Sequence, residues 1–319
     1  MVGYCCYRRI VTWALLVFLV AVAGACAARE FPVTYQSVAK GAMQPEYRAT
    51  HAPFRPGELF SGHEAGLVGD GRTDNTEAFR KLFASPGLNV EIEPGDYVTG
   101  RFVILGDTIV TLSPGVTIRD SGHLAPNEPL LQIYGSHVKI IGNGARILED
   151  RANYTSGEGR HGVLIIKVSD VSIDGLESSD TGGDGFYIGG PVGKPATNIT
   201  LVNCVAHNNR RQGLSITNAR HVDIIGSTFT GTQGARPECG VDLEPNVQSD
   251  YLDGILLYGV RTSANHGCGI AIYLNPLDTT SPSVGIDIVE HTSLGEGTPF
   301  ITSTAARSVG GAIRYVTVR

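Results

Sequence analysis

Four short segments of this 319-residue chain superpose on a shared glycine: Asp184-Gly-Phe-Tyr-Ile188, Gln212-Gly-Leu-Ser-Ile216, Cys239-Gly-Val-Asp-Leu243 and Cys268-Gly-Ile-Ala-Ile272. Their glycines, at 185, 213, 240 and 269, are 28, 27 and 29 residues apart. A recurrent period of this size marks a solenoid of stacked coils. After each glycine, apolar and variable positions alternate with period two, so each segment reads as a strand with one buried and one exposed face. One such coil cannot bury its apolar row alone. Stacking places Phe186, Leu214, Val241 and Ile270 in one inward column and Ile188, Ile216, Leu243 and Ile272 in another.

A second strand type precedes them in Val171–Gly175, Ile199–Asn203, Val222–Gly226 and Ile255–Gly259, so every coil has at least two strands. Less regular runs at 102–105, 109–112, 138–141 and 163–166 extend the stack backwards, and 284–289 and 312–318 continue it. A β-sandwich would space strands by about 8–12 residues and would not keep glycine at one phase. The fold expected is all-β, a parallel β-helix.

Composition agrees: 41 glycines and 16 prolines against one Trp and two Met favour turns and short strands over long helices. A formal charge of -6 leaves no basic stripe for phosphates and argues against a nucleic-acid partner.

Residues 1–27 read as a signal peptide, with Arg8 and Arg9 before an apolar run from Val11 to Ala23 and small-x-small cleavage sites at Ala23-Gly24-Ala25 and Ala25-Cys26-Ala27. The run falls short of the ~20 residues a membrane span needs. The expectation is a secreted or periplasmic protein; a lipid anchor at Cys26, making it an outer-membrane lipoprotein, is the alternative. Residues 28–60 form an N-terminal extension and 61–319 the β-helix domain. Cys239 and Cys268 hold equivalent places in adjacent coils, a spacing that permits a disulfide or a stacked pair of free thiols, while Cys204 reads as a small core residue.

Upstream, a Gly-rich turn from Val68 leads into a short amphipathic helix with Phe79, Leu82 and Phe83 on one face, capped by Asn75 or Thr76. Asp70, Asp74 and Glu77 then serve helix entry. The block Gly69-Asp-Gly-Arg-Thr-Asp-Asn-Thr76, the helix and Glu93-Pro-Gly-Asp-Tyr97 resemble the entry of the pectate-lyase-like superfamily. The resemblance spans about residues 60 to 319 and implies a right-handed parallel β-helix with an N-terminal capping helix. It also implies a polysaccharide or oligosaccharide partner, and fits polysaccharide lyases, glycoside hydrolases and, less well, uronate epimerases. The signature motifs of polygalacturonases, pectate lyases and epimerases are missing; Asp242-Leu-Glu-Pro245 is only loosely similar to an epimerase's Asp-Pro-His-Glu.

The outward column is Tyr187, Ser215, Asp242 and Ala271, followed by Gly189, Thr217, Glu244 and Tyr273. Asp242 and Glu244, about 6.6 Å apart along the strand, suit acid and base roles in glycoside hydrolysis, at a spacing between the covalent and direct-water regimes. The alternative is a solvated edge, with Glu244 entering a turn. In the loops before these strands, Asp180 aligns with Asn208 and Asp184 with Gln212, beside His207, Arg210 and Arg211. A lyase would need a cation, or calcium at Asp180 and Asp184, to neutralise a uronate while Arg211 or Tyr187 acts as base. The alternative is an Asn208–Asn209 turn ladder with the arginines paired to neighbouring acids. The candidate catalytic set is therefore Asp242, Glu244, Asp184, Asp180 and Arg211; Tyr187, Arg210, His207, Asn246 and Tyr273 would bind substrate. The activity expected is cleavage of a polysaccharide, of acidic type, by elimination or hydrolysis. A non-catalytic carbohydrate-binding or adhesin-like solenoid is the competing class.

Overall fold

In the computed structural model, residues 33–38, 57–303 and 309–318 are described. Three parallel sheets of eleven, nine and eight strands run the length of the molecule, and the chain visits them in rotation. One coil is Ser169–Asp174, Glu177–Ser179 and Phe186–Gly189; the next is Ala196–Val202, Val205–His207 and Leu214–Ile216. Two more follow as Ala219–Ile225, Thr228–Thr230, Cys239–Leu243 and Leu252–Tyr258, Arg261–Ser263, Cys268–Tyr273. The glycine-led segments form the third sheet and the strands before them the first. The second sheet adds a third strand per coil; at three residues it is too short for alternation to declare itself.

The pairing register matches the columns read from the sequence. Phe186 pairs with Leu214, Leu214 with Val241 and Val241 with Ile270, all fully buried. Removing each such side chain from water is worth about 1.5–3 kcal/mol, and the columns together supply the core a single coil lacks. The repeated glycine sits where the third-sheet strand leaves its corner. A Cβ at Gly213 would stand 2.5 Å from the carbonyl oxygen of Gly240 and 2.7 Å from Phe229 Cβ, so the coils close there only without a side chain.

The first coil is closed by the helix Thr76–Leu82. Phe79 stacks on Phe102 at 4.6 Å and meets Tyr97 edge-on at 6.3 Å, covering the apolar end of the stack. The cap differs from the expectation. Asn75 holds the N-cap position, but its amide is spent on the Val68 backbone, accepting its N–H at 2.7 Å and donating to its carbonyl at 3.0 Å. Asp74 instead accepts the Thr76 N–H at 2.9 Å, and Asp70 accepts those of Arg72 and Thr73.

At the far end, Val33–Val38 pairs in parallel with Gly311–Val318 and becomes the last strand of the first sheet, while Leu59–Ser61 begins that sheet at the near end. Residues 33–38 and 59–60, counted from sequence with the 28–60 extension, are thus strands of the solenoid. The expected leader, residues 1–27 with Cys26, lies outside the described residues. Among the described residues no helix is long and apolar enough to cross a membrane. Cys239 and Cys268 form a disulfide between adjacent coils, and Cys204 is a buried free thiol.

Candidate functional site

The outward face of the third sheet forms the floor of a groove of about 320 Å³. Leu164, Tyr187, Ser215 and Asp242 follow one another in register across it, with Ile166, Thr217 and Glu244 one alternation further along their strands. One wall comes from the loop 149–162, an irregular insertion between second-sheet and third-sheet strands. Asn127 Oδ1 accepts the N–H groups of Glu158 and Gly159, and Arg210 donates to the carbonyls of Gly157 at 2.7 Å and Thr155 at 3.0 Å, which pins the loop.

Asp242 is 1% exposed. Gln212 Nε2 donates to its Oδ2 at 2.9 Å, while Gln212 Oε1 accepts the Cys239 N–H at 2.7 Å, so the amide orientation is fixed from both ends. Because Oδ2 is held as an acceptor, a proton on this carboxyl belongs on Oδ1, which has no hydrogen-bond partner. Burial, reinforced by the nearby charge of Glu244, pushes the acid up to about 8, so the proton is held at neutral pH. Ser215, its register partner, also leaves a buried hydroxyl oxygen unpartnered.

Beneath the floor Asp184 is fully buried, and Arg211 Nη1 lies 3.4 Å from both of its oxygens. Arg211 Nε lies 3.4 Å from Glu158. Burial opposes the Arg211 charge, but Asp184, Asp242 and Glu158 outweigh it and hold the guanidinium above its ordinary range. His161 Nδ1 lies 3.2 Å from the Asp184 backbone nitrogen and 3.4 Å from the Asp184 carboxylate, and burial lowers the ring's pKa, which favours its neutral form. The ring stacks on Tyr187 at 4.7 Å, and the Tyr187 hydroxyl is 3.0 Å from Thr217 Oγ1.

Of the residues singled out from sequence, Tyr187, Arg211, Asp242, Glu244 and Asn246 line this groove, with Asp184 directly beneath Arg211. Tyr273 stands one coil beyond Glu244 against the disulfide, its hydroxyl pKa raised by burial and by the charges of Asp242 and Glu244. Three others fall elsewhere. Asp180 sits in a left-handed turn at φ 55°, where it accepts from the Asn208 amide, so Asp180 and Asp184 engage different partners and do not converge on a calcium position. Arg210 is consumed by the wall loop, and His207 is exposed on the second sheet. Among the described residues no group of three or more His, Cys, Asp or Glu side chains is placed to hold a metal ion. The turn-ladder alternative describes this corner: Asn209 Oδ1 accepts the Thr181 N–H, and Asn265 repeats the bond to Thr232 two coils on.

His161, Glu158 and Asn127 were not legible, because they lie on loops outside the repeat. Gln212 was in view, through its alignment with Asp184; its partner in the next coil was the missing signal.

A stacked parallel solenoid with a groove on one sheet places the molecule among the β-helix proteins. The family described as "Right handed beta helix region" matches residues 131–293, and the chain belongs to it. No curated protein matches the sequence. Among solved structures, the N-terminal fragment of bacteriophage phi29 gene product 12 is 21% identical with a TM-score of 0.55, over 78% of this chain and 45% of that one. The tailspike gp49 of Acinetobacter baumannii bacteriophage Fri1, a capsular polysaccharide depolymerase, is 16% identical with a TM-score of 0.53, over 82% and 57%. An iota-carrageenase complexed to iota-carrageenan fragments is 12% identical with a TM-score of 0.55, over 79% and 58%. The chain spans about half the length of these proteins, and the likeness is one of fold.

Proposed function

We propose that the protein hydrolyses a polysaccharide in the third-sheet groove, with Asp242 as general acid and Glu244 as the base or nucleophile. The observation that carries this reading is a pair of carboxyls two residues apart in different surroundings: Asp242 buried and protonated with Oδ1 unpartnered, Glu244, just past the strand end, half-buried in the groove. Environments that push two neighbouring carboxyls apart assign the acid and the base. Asp242 gives its Oδ1 proton to the glycosidic oxygen as the bond to the anomeric carbon breaks. Glu244 takes a proton from the incoming water, or attacks the anomeric carbon and is later released by water.

Hydrolysis is favoured over elimination because Arg211, which would have to neutralise a uronate, is already matched by Asp184 and Glu158. The depolymerase and the carrageenase among the structural neighbours support a carbohydrate substrate. Export is supported by the apolar leader and by a disulfide suited to an oxidising compartment.

The test is incubation of the mature protein with a polysaccharide panel. New reducing ends without new ultraviolet absorbance are expected; absorbance from an unsaturated product would make it a lyase, and binding without either product would make it a carbohydrate-binding solenoid. Asp242→Asn and Glu244→Gln should each lower turnover by roughly 10²–10⁴-fold. Full activity in both would sink the assignment.

A further inference from the structure

We propose that the groove accepts sugar units carrying no negative charge, neutral or amino-bearing, and turns away uronate and sulfated units over Asp242. This rests on the groove being the polysaccharide site. The charge that surrounds the site sets this selection. Asp184, Glu158 and Glu244 contribute three negative charges and Arg211 one positive, a net of -2 with Asp242 protonated. Arg211 cannot turn to a substrate anion without stranding Asp184, which is fully buried and has no access to water.

Three arginines near the groove are committed elsewhere. Arg210 donates to the backbone of the wall loop, Arg160 to the carbonyls of Ser156 and Leu124, and Arg151 to Asn208. Lys167, the residue after the strand carrying Leu164 and Ile166, is exposed, lies 5.9 Å over the Tyr134 ring and does not line the groove. His161 is held in its neutral form by burial and adds no positive charge. The remaining lining is uncharged: Asn127, Ser215, Thr217 and Asn246 offer neutral hydrogen-bonding groups, and Leu164, Ile166 and Tyr187 on the floor match the C–H face of an uncharged pyranose. A like charge about 6 Å from another at an effective dielectric constant near 20 weakens binding on the order of 10- to 100-fold.

The experiment uses full-length Asp242→Asn, which keeps the charge of the protonated acid and removes the proton donor, so binding is read without turnover. It is applied to an array of neutral, amino-bearing, uronate and sulfated oligosaccharides at low and high salt. Binding confined to the first two classes is expected, with the amino sugars weakening as salt rises and the neutral ones unchanged. Adding Glu158→Gln and Glu244→Gln should raise affinity for the anionic oligosaccharides at least ~10-fold. Tight binding of uronate or sulfated units by the Asp242→Asn protein, or no gain in the triple variant, overturns the charge selection alone. Binding of no oligosaccharide overturns the polysaccharide reading and this one together.

Discussion

At Asp242 burial does more to set the chemistry than residue type does. The acid is pushed from its ordinary 3.8 up to about 8, burial first and the Glu244 charge second. Two pH effects follow. Turnover should fall as pH rises through about 8, when the donor is lost, and a Gln212→Leu variant should move that limb, because Gln212 holds Oδ2 as the acceptor. A merely structural role for Gln212 would lower yield or melting temperature and leave the limb in place; carboxyl NMR of Asp242 reports the same shift without substrate. The second effect is on stability. Between 3.8 and about 8 the native state keeps a proton that the unfolded chain has released. Stability therefore declines with rising pH, by at most about 1.4 kcal/mol per unit for this group. Urea unfolding from pH 4.5 to 8 should show a shallower decline for Asp242→Asn. A residual slope is expected from Glu149, whose carboxyl is also raised by burial, Gly182 N–H notwithstanding.

The strands and loops differ in how much of the molecule they allowed to be read in advance. Where the chain repeats, alternation and the glycine phase were sufficient to place individual side chains: Tyr187, Ser215, Asp242 and Ala271 do pair in register. The inference was available because period two is a local property that stacking preserves. It failed at corners. Asp180 aligns with a polar loop and so reads as part of the groove, but a left-handed φ turns the chain there and its carboxylate accepts from the Asn208 side-chain amide instead. The wall loop 149–162 was silent, since its position depends on contacts from Asn127 and from Arg210, over 50 residues away in sequence. Arg210→Ala should therefore loosen the wall without touching the carboxyls: KM should rise several-fold with kcat little changed, and limited proteolysis should cut earlier within 149–162. An unchanged cleavage pattern would show that Arg210 does not hold the loop. At the corner itself, Gly213→Ala should destabilise by about 2 kcal/mol or more in denaturant unfolding, because the added methyl meets the Gly240 carbonyl and Phe229.

A solenoid has two ends, and each exposes apolar coil faces and strand edges that can recruit another chain. The near end is covered by the helix Thr76–Leu82 and its aromatic stack. The far end is treated differently: Val33–Val38 occupies the edge of Gly311–Val318, and short strands, Thr292–Leu294 in the second sheet and Phe300–Ser303 in the third, end the other two. Cleavage at either small-residue site of the leader would leave Val33–Val38 in the mature chain. Deleting residues up to 38 should then expose six backbone positions of the last first-sheet strand and leave the distant groove intact. The expected outcome is concentration-dependent self-association by sedimentation velocity with catalytic activity per chain unchanged. A truncated chain that stays monomeric at high concentration would show that the strand is not an edge guard; one that loses activity in its monomeric fraction would show that the far end supports the groove.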